Sequence, residues 1–103
     1  MPKGYWIARI DVIDPENYMK YVKANAVPFA KYGARFLVRS GEFVAKEGAA
    51  RSRNVVIEFP SYQAALDCYD SPEYAAAMAH RKGASEGDII VIEGYVGQQP
   101  GEG

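Results

Sequence analysis

The sequence is poor in the residues that form disulfides and Cys/His metal sites. Its 103 residues include one cysteine, Cys68, and one histidine, His80. A single cysteine excludes a disulfide within the chain, and this pair cannot supply the three or four ligands of a zinc site. No acidic cluster follows a recognisable loop pattern for magnesium. We therefore expect no metal site and no bound cofactor.

The sequence also lacks an excess of charge and any long apolar run. There are 12 Lys+Arg against 13 Asp+Glu, whereas nucleic-acid-binding domains usually carry a basic excess. The longest apolar run, residues 89–92, is far below the roughly 20 residues of a membrane span, and the first residues lack the apolar segment of a signal peptide. We expect a cytoplasmic protein that binds neither nucleic acid nor membrane.

What is present predicts one globular domain over residues 1–97, with a flexible tail over residues 98–103. Apolar periodicity and the helix starts at Asp14-Pro15 and Ser71-Pro72 indicate the order β-α-β-β-α-β. Strands are predicted at residues 5–13, 34–40, 53–59 and 89–96, with residues 42–46 as a continuation of the second strand and residues 84–88 as a connector. Helices are predicted at residues 15–32, kinked or divided by Pro28, and at residues 61–82, restarting near Ser71.

This order predicts an α+β, ferredoxin-like fold, with a four-stranded antiparallel sheet and the helices on one face. The first strand places Trp6 and Ile10 on one face and Tyr5 and Ile7 on the other, by its period of two. Both faces of this strand are therefore apolar or aromatic. Because the helices cover one face only, we expect a homodimer through the other sheet face. In the second strand, the same alternation places Phe36 with Val38, and Leu37 with Arg39.

Four segments together resemble the DUF1330 family: YWIARIDVIDPENY, KYGARFLVRSG, VVIEFPS and YDSPEY. They run from about Tyr5 to Tyr74, and Arg81 and the last strand also fit. The resemblance implies a dimeric α/β barrel, in which two ferredoxin-like subunits pack sheet against sheet. It implies no catalytic residues. Related superfamily members include cofactor-independent monooxygenases, haem-degrading enzymes, lactone isomerases and effector-sensing domains, and extending those functions to this chain is an analogy of fold.

Eight tyrosines are the main anomaly of the composition. A tyrosine has an apolar body and a polar tip, which suits the wall of a wet cavity. We single out four as candidates for a ligand pocket between helices and sheet: Tyr18, Tyr32, Tyr69 and Tyr74. The alternative is a core lined by amphipathic rings whose hydroxyls reach solvent.

Arginines are the second candidate group, as a clamp for an anionic ligand. Arg39 and Arg53 flank the central hairpin and are preferred, with Arg81 third because it shares a helix face with Tyr74. The alternative is internal or interfacial ion pairing, with partners at Asp11, Glu58 and Glu93.

These features lead to one main hypothesis and two alternatives. The main hypothesis is a homodimer with a pocket in each subunit for a small organic, anionic ligand. Whether a cofactor-independent reaction takes place in that pocket is left open. One alternative is a non-catalytic ligand-sensing or interaction module. The other is haem binding through His80, the one histidine that could serve as axial ligand.

Overall fold

The computed structural model describes residues 2–102. Its elements alternate as the pattern predicts, with each helical region divided in two. The elements are β1 (Gly4–Val12), α1 (Pro15–Ala24), α2 (Ala26–Lys31), β2 (Arg35–Arg39), β3 (Arg53–Phe59), α3 (Tyr62–Tyr69), α4 (Pro72–Arg81) and β4 (Ser85–Glu93). No helix in this part of the chain is long and apolar enough to cross a membrane.

Local signals start the helices at the predicted places. The Asp14 carboxylate accepts a hydrogen bond from the Asn17 backbone N–H at 3.2 Å, and Pro15 opens α1. The Ser71 hydroxyl accepts from the Tyr74 backbone N–H at 3.1 Å, and Pro72 opens α4. In both cases the cap supplies an acceptor for an N–H group that has no partner inside the helix.

Pro28 divides the first helical region, as expected. Because proline has no N–H to donate to the carbonyl four residues earlier, the break falls upstream, with α1 ending at Ala24 and α2 starting at Ala26. Asn25, between the two helices, is buried.

The strands form one antiparallel sheet in the order β2-β3-β1-β4. β1 is central, and its Trp6 lies opposite Ile57 of β3 and Val91 of β4. This arrangement confirms the predicted ferredoxin-like fold. We call the face that the helices cover the inner face, and the opposite one the outer face.

The predicted connector at residues 84–88 is wrong for most of its length. β4 starts at Ser85, which pairs with Val12, and Gly87 pairs with Ile10. The backbone N–H of Ile13 also donates to the Ala84 carbonyl at 2.7 Å. Residues 85–88 are polar or glycine and lack the apolar alternation of a strand. They belong to the sheet because they pair with β1. At the other end, β4 stops at Glu93 rather than at residue 96.

The second strand also differs from its predicted pattern. Residues 42–46 form no strand, and β2 carries one extra residue, because Phe36 lies opposite Ile57 while Val38 lies opposite the next residue, Val56. Leu37 is therefore the extra residue of a β-bulge. The bulge reverses the alternation, so Arg39 shares the inner face with Phe36, and the predicted pairing of Phe36 with Val38 on one face is wrong.

The inner face is an aromatic core. Trp6, Phe59, Cys68 and Tyr74 are completely or almost completely buried. The Trp6 ring meets the Tyr74 ring edge to face, with centroids 5.0 Å apart, a geometry that favours the ring quadrupoles.

The outer face carries an apolar row that crosses all four strands. Val38 pairs with Val56, Val56 with Ile7, and Ile7 with Ile90. Val38 and Ile90, on the two edge strands, are 45% and 51% exposed. We call Val38, Val56, Ile7 and Ile90 the outer row.

Candidate functional site

A cavity lies between the helices and the inner face of the sheet. It has a volume of about 30 Å³, room for one water molecule or one small polar group. Its lining combines apolar side chains of the sheet, such as Trp6, with polar side chains of α1 and with three arginines, Arg39, Arg53 and Arg81. We call it the arginine cavity.

The three arginines come from three different elements. Arg39 is the last residue of β2, Arg53 the first of β3, and Arg81 the last of α4. Arg39 faces the cavity because of the bulge at Leu37, and it lies opposite Val55 of β3. The sheet order therefore brings together side chains that are far apart in sequence.

No carboxylate neutralises these arginines in the part of the chain that the structure describes. Of the predicted partners, Asp11 pairs with Arg51 at 2.8 Å, and Glu58 accepts a hydrogen bond from the Tyr5 hydroxyl at 3.2 Å. No ion pair within residues 2–102 involves Arg39, Arg53 or Arg81. Internal ion pairing therefore does not account for their charges.

Instead, each guanidinium lies over an aromatic ring. The Cζ atom of Arg39 is 4.1 Å from the centroid of the Phe36 ring. The Arg53 Cζ is 5.4 Å from the Tyr18 ring centroid, and the Arg81 Cζ is 5.2 Å from that of Tyr21. These cation–π contacts hold the cations in place without consuming their N–H donors.

Two of those donors are buried without an acceptor. The Nε atoms of Arg53 and Arg81 are inaccessible to solvent and make no hydrogen bond. Buried polar groups normally have a partner.

A tyrosine pair lies beside Arg81. The hydroxyls of Tyr21 and Tyr74 are 2.7 Å apart, and the Arg81 Nη2 donates to the Tyr74 hydroxyl at 3.5 Å. Burial raises the pKa of both tyrosines, although the Arg81 charge acts in the opposite direction. Both are therefore neutral hydrogen-bonding groups at pH 7.

The candidate residues separate into two groups. Tyr18, Arg39, Arg53 and Arg81 line the arginine cavity. The other three candidates do not line it. Tyr74 is buried behind Tyr21, Tyr69 lines a separate groove, and Tyr32 caps the end of α2.

Sequence analysis missed two polar residues of the lining, Tyr21 and Asn25. Tyr21 is one helical turn after Tyr18, and Asn25 is one turn after Tyr21, so both share the side of α1 that meets the sheet. The helical period was the signal that could have found them.

His80 and Cys68 lie apart from the arginine cavity. His80 is exposed on α4, in a shallow depression beside Ala24 and Val27. Cys68 is completely buried, and burial raises the pKa of its thiol to about 12. Within residues 2–102, no group of three His, Cys, Asp or Glu side chains could hold a metal ion.

Comparison with known proteins adds a family and a set of structural neighbours. The family model described as "Domain of unknown function (DUF1330)" matches residues 3–95. No curated protein matches the sequence.

Three solved structures illustrate the likeness of fold. A protein of unknown function from Rhodopseudomonas palustris is 16% identical, with a TM-score of 0.74 over 93% of this chain and 85% of its own. SnoaB, a cofactor-independent oxygenase from Streptomyces nogalater, is 13% identical, with a TM-score of 0.65 over 99% of this chain and 100% of its own. A dimeric ferredoxin-like protein of unknown function from Thermobifida fusca is 15% identical, with a TM-score of 0.59 over 92% of each chain.

Proposed function

Because the chain belongs to the DUF1330 family, whose name assigns no activity, we propose a function from its geometry: a homodimer in which each subunit binds a small organic anion at the arginine cavity. The observation that carries this proposal is the convergence of three arginines on one cavity whose described lining contains no carboxylate. Arg53 and Arg81 are half-buried, and an anionic ligand would offset the cost of leaving such cations without a counter-charge.

The lining indicates the chemistry of the ligand. Guanidinium groups bind carboxylates with two parallel hydrogen bonds, and the cavity has room for one such group. Arg39 is exposed and so lies where the rest of the ligand would emerge. The Phe36 ring and the aliphatic floor favour an apolar or aromatic body.

The outer row supports the dimer. A second copy packed on this face would bury Val38 and Ile90, which one chain leaves half exposed. The neighbour from Thermobifida fusca is described as dimeric, which agrees with a homodimer.

The cavity supports binding more directly than it supports catalysis. Its lining contains no Asp, Glu, His or Cys among the described residues, and Tyr21 stays protonated, so a general base is missing. A ligand-sensing module is therefore the second candidate function. An enzyme would need an activated substrate, with Arg81 stabilising negative charge on a substrate oxygen and the tyrosine hydroxyls orienting it. SnoaB, described as a cofactor-independent oxygenase, has the same fold.

The single tryptophan makes binding measurable. Trp6 lines the cavity, so its fluorescence should change when benzoate or salicylate is titrated in, and should not change with benzamide, which lacks the charge. Arg39→Ala should weaken binding at least tenfold and leave the dimer intact by light scattering. Arg35→Ala is the matched control, because Arg35 is exposed on the same strand and does not line the cavity.

Four outcomes decide the proposal. Equal binding by wild type and Arg39→Ala would contradict the anion site, and loss of folding in Arg39→Ala would assign this arginine to structure. A monomer at micromolar concentration would contradict the dimer. Oxygen uptake or a product detected by mass spectrometry after incubation would favour an enzyme over a sensor.

A further inference from the structure

A second opening lies on the other side of Arg81, between α3, α4 and the start of β4. We call it the α4–β4 groove; it is lined by Tyr69, Met78, Arg81, Lys82 and Ser85, together with small residues of α4. Its volume is about 560 Å³, which is in the usual range of about 300–1,000 Å³ for small-molecule sites. It could hold a whole organic molecule, which the arginine cavity in this conformation could not.

Two buried polar atoms in the lining lack a partner. The Ser85 hydroxyl oxygen and the Arg81 Nε are both inaccessible to solvent and make no hydrogen bond. The Arg81 Nη2 already donates to Tyr74, which leaves the Nε donor unused. Since both unused groups can donate a hydrogen bond, they fit a ligand that accepts two.

The charge of the groove has one sign. Arg81 and Lys82 are adjacent basic residues, and no acidic side chain among residues 2–102 is part of the lining. The ligand group that suits this arrangement is an anion.

The opposite wall combines an aromatic ring with a polarisable thioether. The Tyr69 hydroxyl lies 3.7 Å from the Met78 Sδ, so the ring and the thioether form a continuous surface. Ala75 and Ala79 are one helical turn apart on α4 and leave space in front of it. A flat ring would pack well against such a surface.

We propose that the α4–β4 groove binds an aromatic carboxylate. The Arg81 Nε and the Ser85 hydroxyl would donate hydrogen bonds to the carboxylate after a change of side-chain rotamer turns them into the groove. The carboxylate would lie near the Lys82 ammonium, and the ring would contact Tyr69 and Met78. Met78, Lys82 and Ser85 do not line the arginine cavity. The groove is therefore a separate site, and Arg81 is the one residue that lines both.

Methionine methyl groups allow a direct test. In protein labelled with ¹³C at the methionine methyls, 2-naphthoate should shift the Met78 signal saturably through its ring current. Met19, exposed on α1, is the internal control and should not move. The uncharged 2-naphthamide should leave the Met78 signal in place. An unmoved Met78, or an equal shift with the amide, would overturn the proposal.

Variants identify the polar partners. Ser85→Ala should weaken 2-naphthoate binding on the order of tenfold, the effect of one hydrogen bond to a charged group. Lys82→Gln should weaken it about two- to fivefold, as for an exposed charge, and Lys20→Gln on α1 should change nothing. Both groove variants keep the fold in principle, since neither side chain has a partner to lose within residues 2–102; a matching circular dichroism spectrum checks this. Wild-type affinity in both variants would refute the assignment.

A last variant separates the two sites. Arg53→Gln alters the arginine cavity alone, so the Met78 shift should persist in it while benzoate no longer changes Trp6 fluorescence. Loss of the Met78 shift in Arg53→Gln would show that binding at the groove depends on the arginine cavity. This conclusion would hold whether or not benzoate still changed Trp6 fluorescence.

Discussion

The two faces of the sheet are built from the same strands and differ in how completely one chain covers them. On the inner face, Trp6 and Tyr74 are 1% and 0% exposed. On the outer face, the apolar side chains of Val38 and Ile90 stay about half exposed. Because side chains alternate along a strand, β1 contributes to both surfaces at once. The difference indicates that the inner face folds against its own helices, and that the outer face suits a second chain.

The faces also differ in their charges. On the outer side, Arg51 pairs with Asp11 at 2.8 Å and approaches Asp88 at 3.5 Å. On the inner side, Arg39, Arg53 and Arg81 have no ion-pair partner within residues 2–102. Arg51, Arg53 and Arg81 are all half-buried, and of these three only Arg51 has a carboxylate partner among the described residues. Leaving a half-buried charge unpaired is not what stability alone favours. This contrast is the reason to place binding on the inner side.

Truncating the centre of the inner face should have the largest effect. Trp6→Ala removes a ring that contacts Phe29, Phe59 and Tyr74 and should lower the free energy of unfolding by about 3–5 kcal/mol. Phe43→Ala, on an exposed loop residue, should lower it by less than about 0.5 kcal/mol. Urea unfolding followed by circular dichroism measures both, and similar losses would contradict the assigned core.

A charge on the outer row should separate the subunits and leave each folded. Ile90→Asp places a carboxylate where the proposed dimer buries apolar surface, and should weaken association at least about 100-fold. Val27→Asp is the control, since Val27 is exposed on the helical layer. Light scattering over a dilution series gives the dissociation constants. An unchanged dimer in Ile90→Asp would move the interface to another surface.

High pH should weaken the inner face through its buried tyrosine pair. The unfolded chain ionises tyrosine near pH 10.0, and burial raises the pKa of Tyr21 and Tyr74 in the folded state. Their contribution to the free energy of unfolding is therefore fully present below pH 10. It is lost as the pH rises above that value. Where a tyrosine is ionised in the unfolded chain and protonated in the folded one, each further pH unit lowers the free energy of unfolding by about 1.4 kcal/mol.

Urea midpoints at pH 8 and pH 11 measure this dependence. Tyr74→Phe should reduce the difference between the two midpoints. At neutral pH this variant should be less stable by about 1 kcal/mol, because it loses the hydrogen bond to Tyr21. Tyr95→Phe should keep the wild-type dependence, since Tyr95 is exposed. A slope that does not change in Tyr74→Phe would argue against the tyrosine pair as its source.

The smallest signal is expected from Cys68. Because it is completely buried and its pKa is raised to about 12, it should not react with a disulfide reagent at pH 8 until the protein unfolds. A colorimetric thiol assay with and without urea checks this, and rapid labelling of the native protein would show that the inner face opens readily.

Local signals predicted much of the fold. The alternation of Trp6, Ala8 and Ile10 marks a strand with one buried side, and Asp14 and Ser71 mark helix starts, because each of these effects operates within a few residues. The order of these elements then leaves few topologies, and the ferredoxin-like sheet is one of them.

Non-local pairing determined what sequence analysis missed. Ser85 lies in a strand because Val12 extends β1 far enough to pair with it, and nothing near Ser85 signals this. Arg39 was chosen as a candidate because of its charge. The side of the sheet on which it lies depends on how β2 pairs with β3. Tyr74 was placed in the pocket, and it is not part of the lining, although its hydroxyl contacts that of Tyr21, which is.

The bulge at Leu37 has a consequence for how this site can vary. Because Leu37 is the extra residue, deleting it would leave Phe36, Val38 and Arg39 with their present partners in a regular ladder, and Arg39 would stay on the inner face. If Leu37 instead took a regular place opposite Val56, every later residue of the strand would change sides and Arg39 would turn outward. A slip of one residue in this strand would therefore remove one arginine from the cavity and add a cation to the outer face, without any change in sequence.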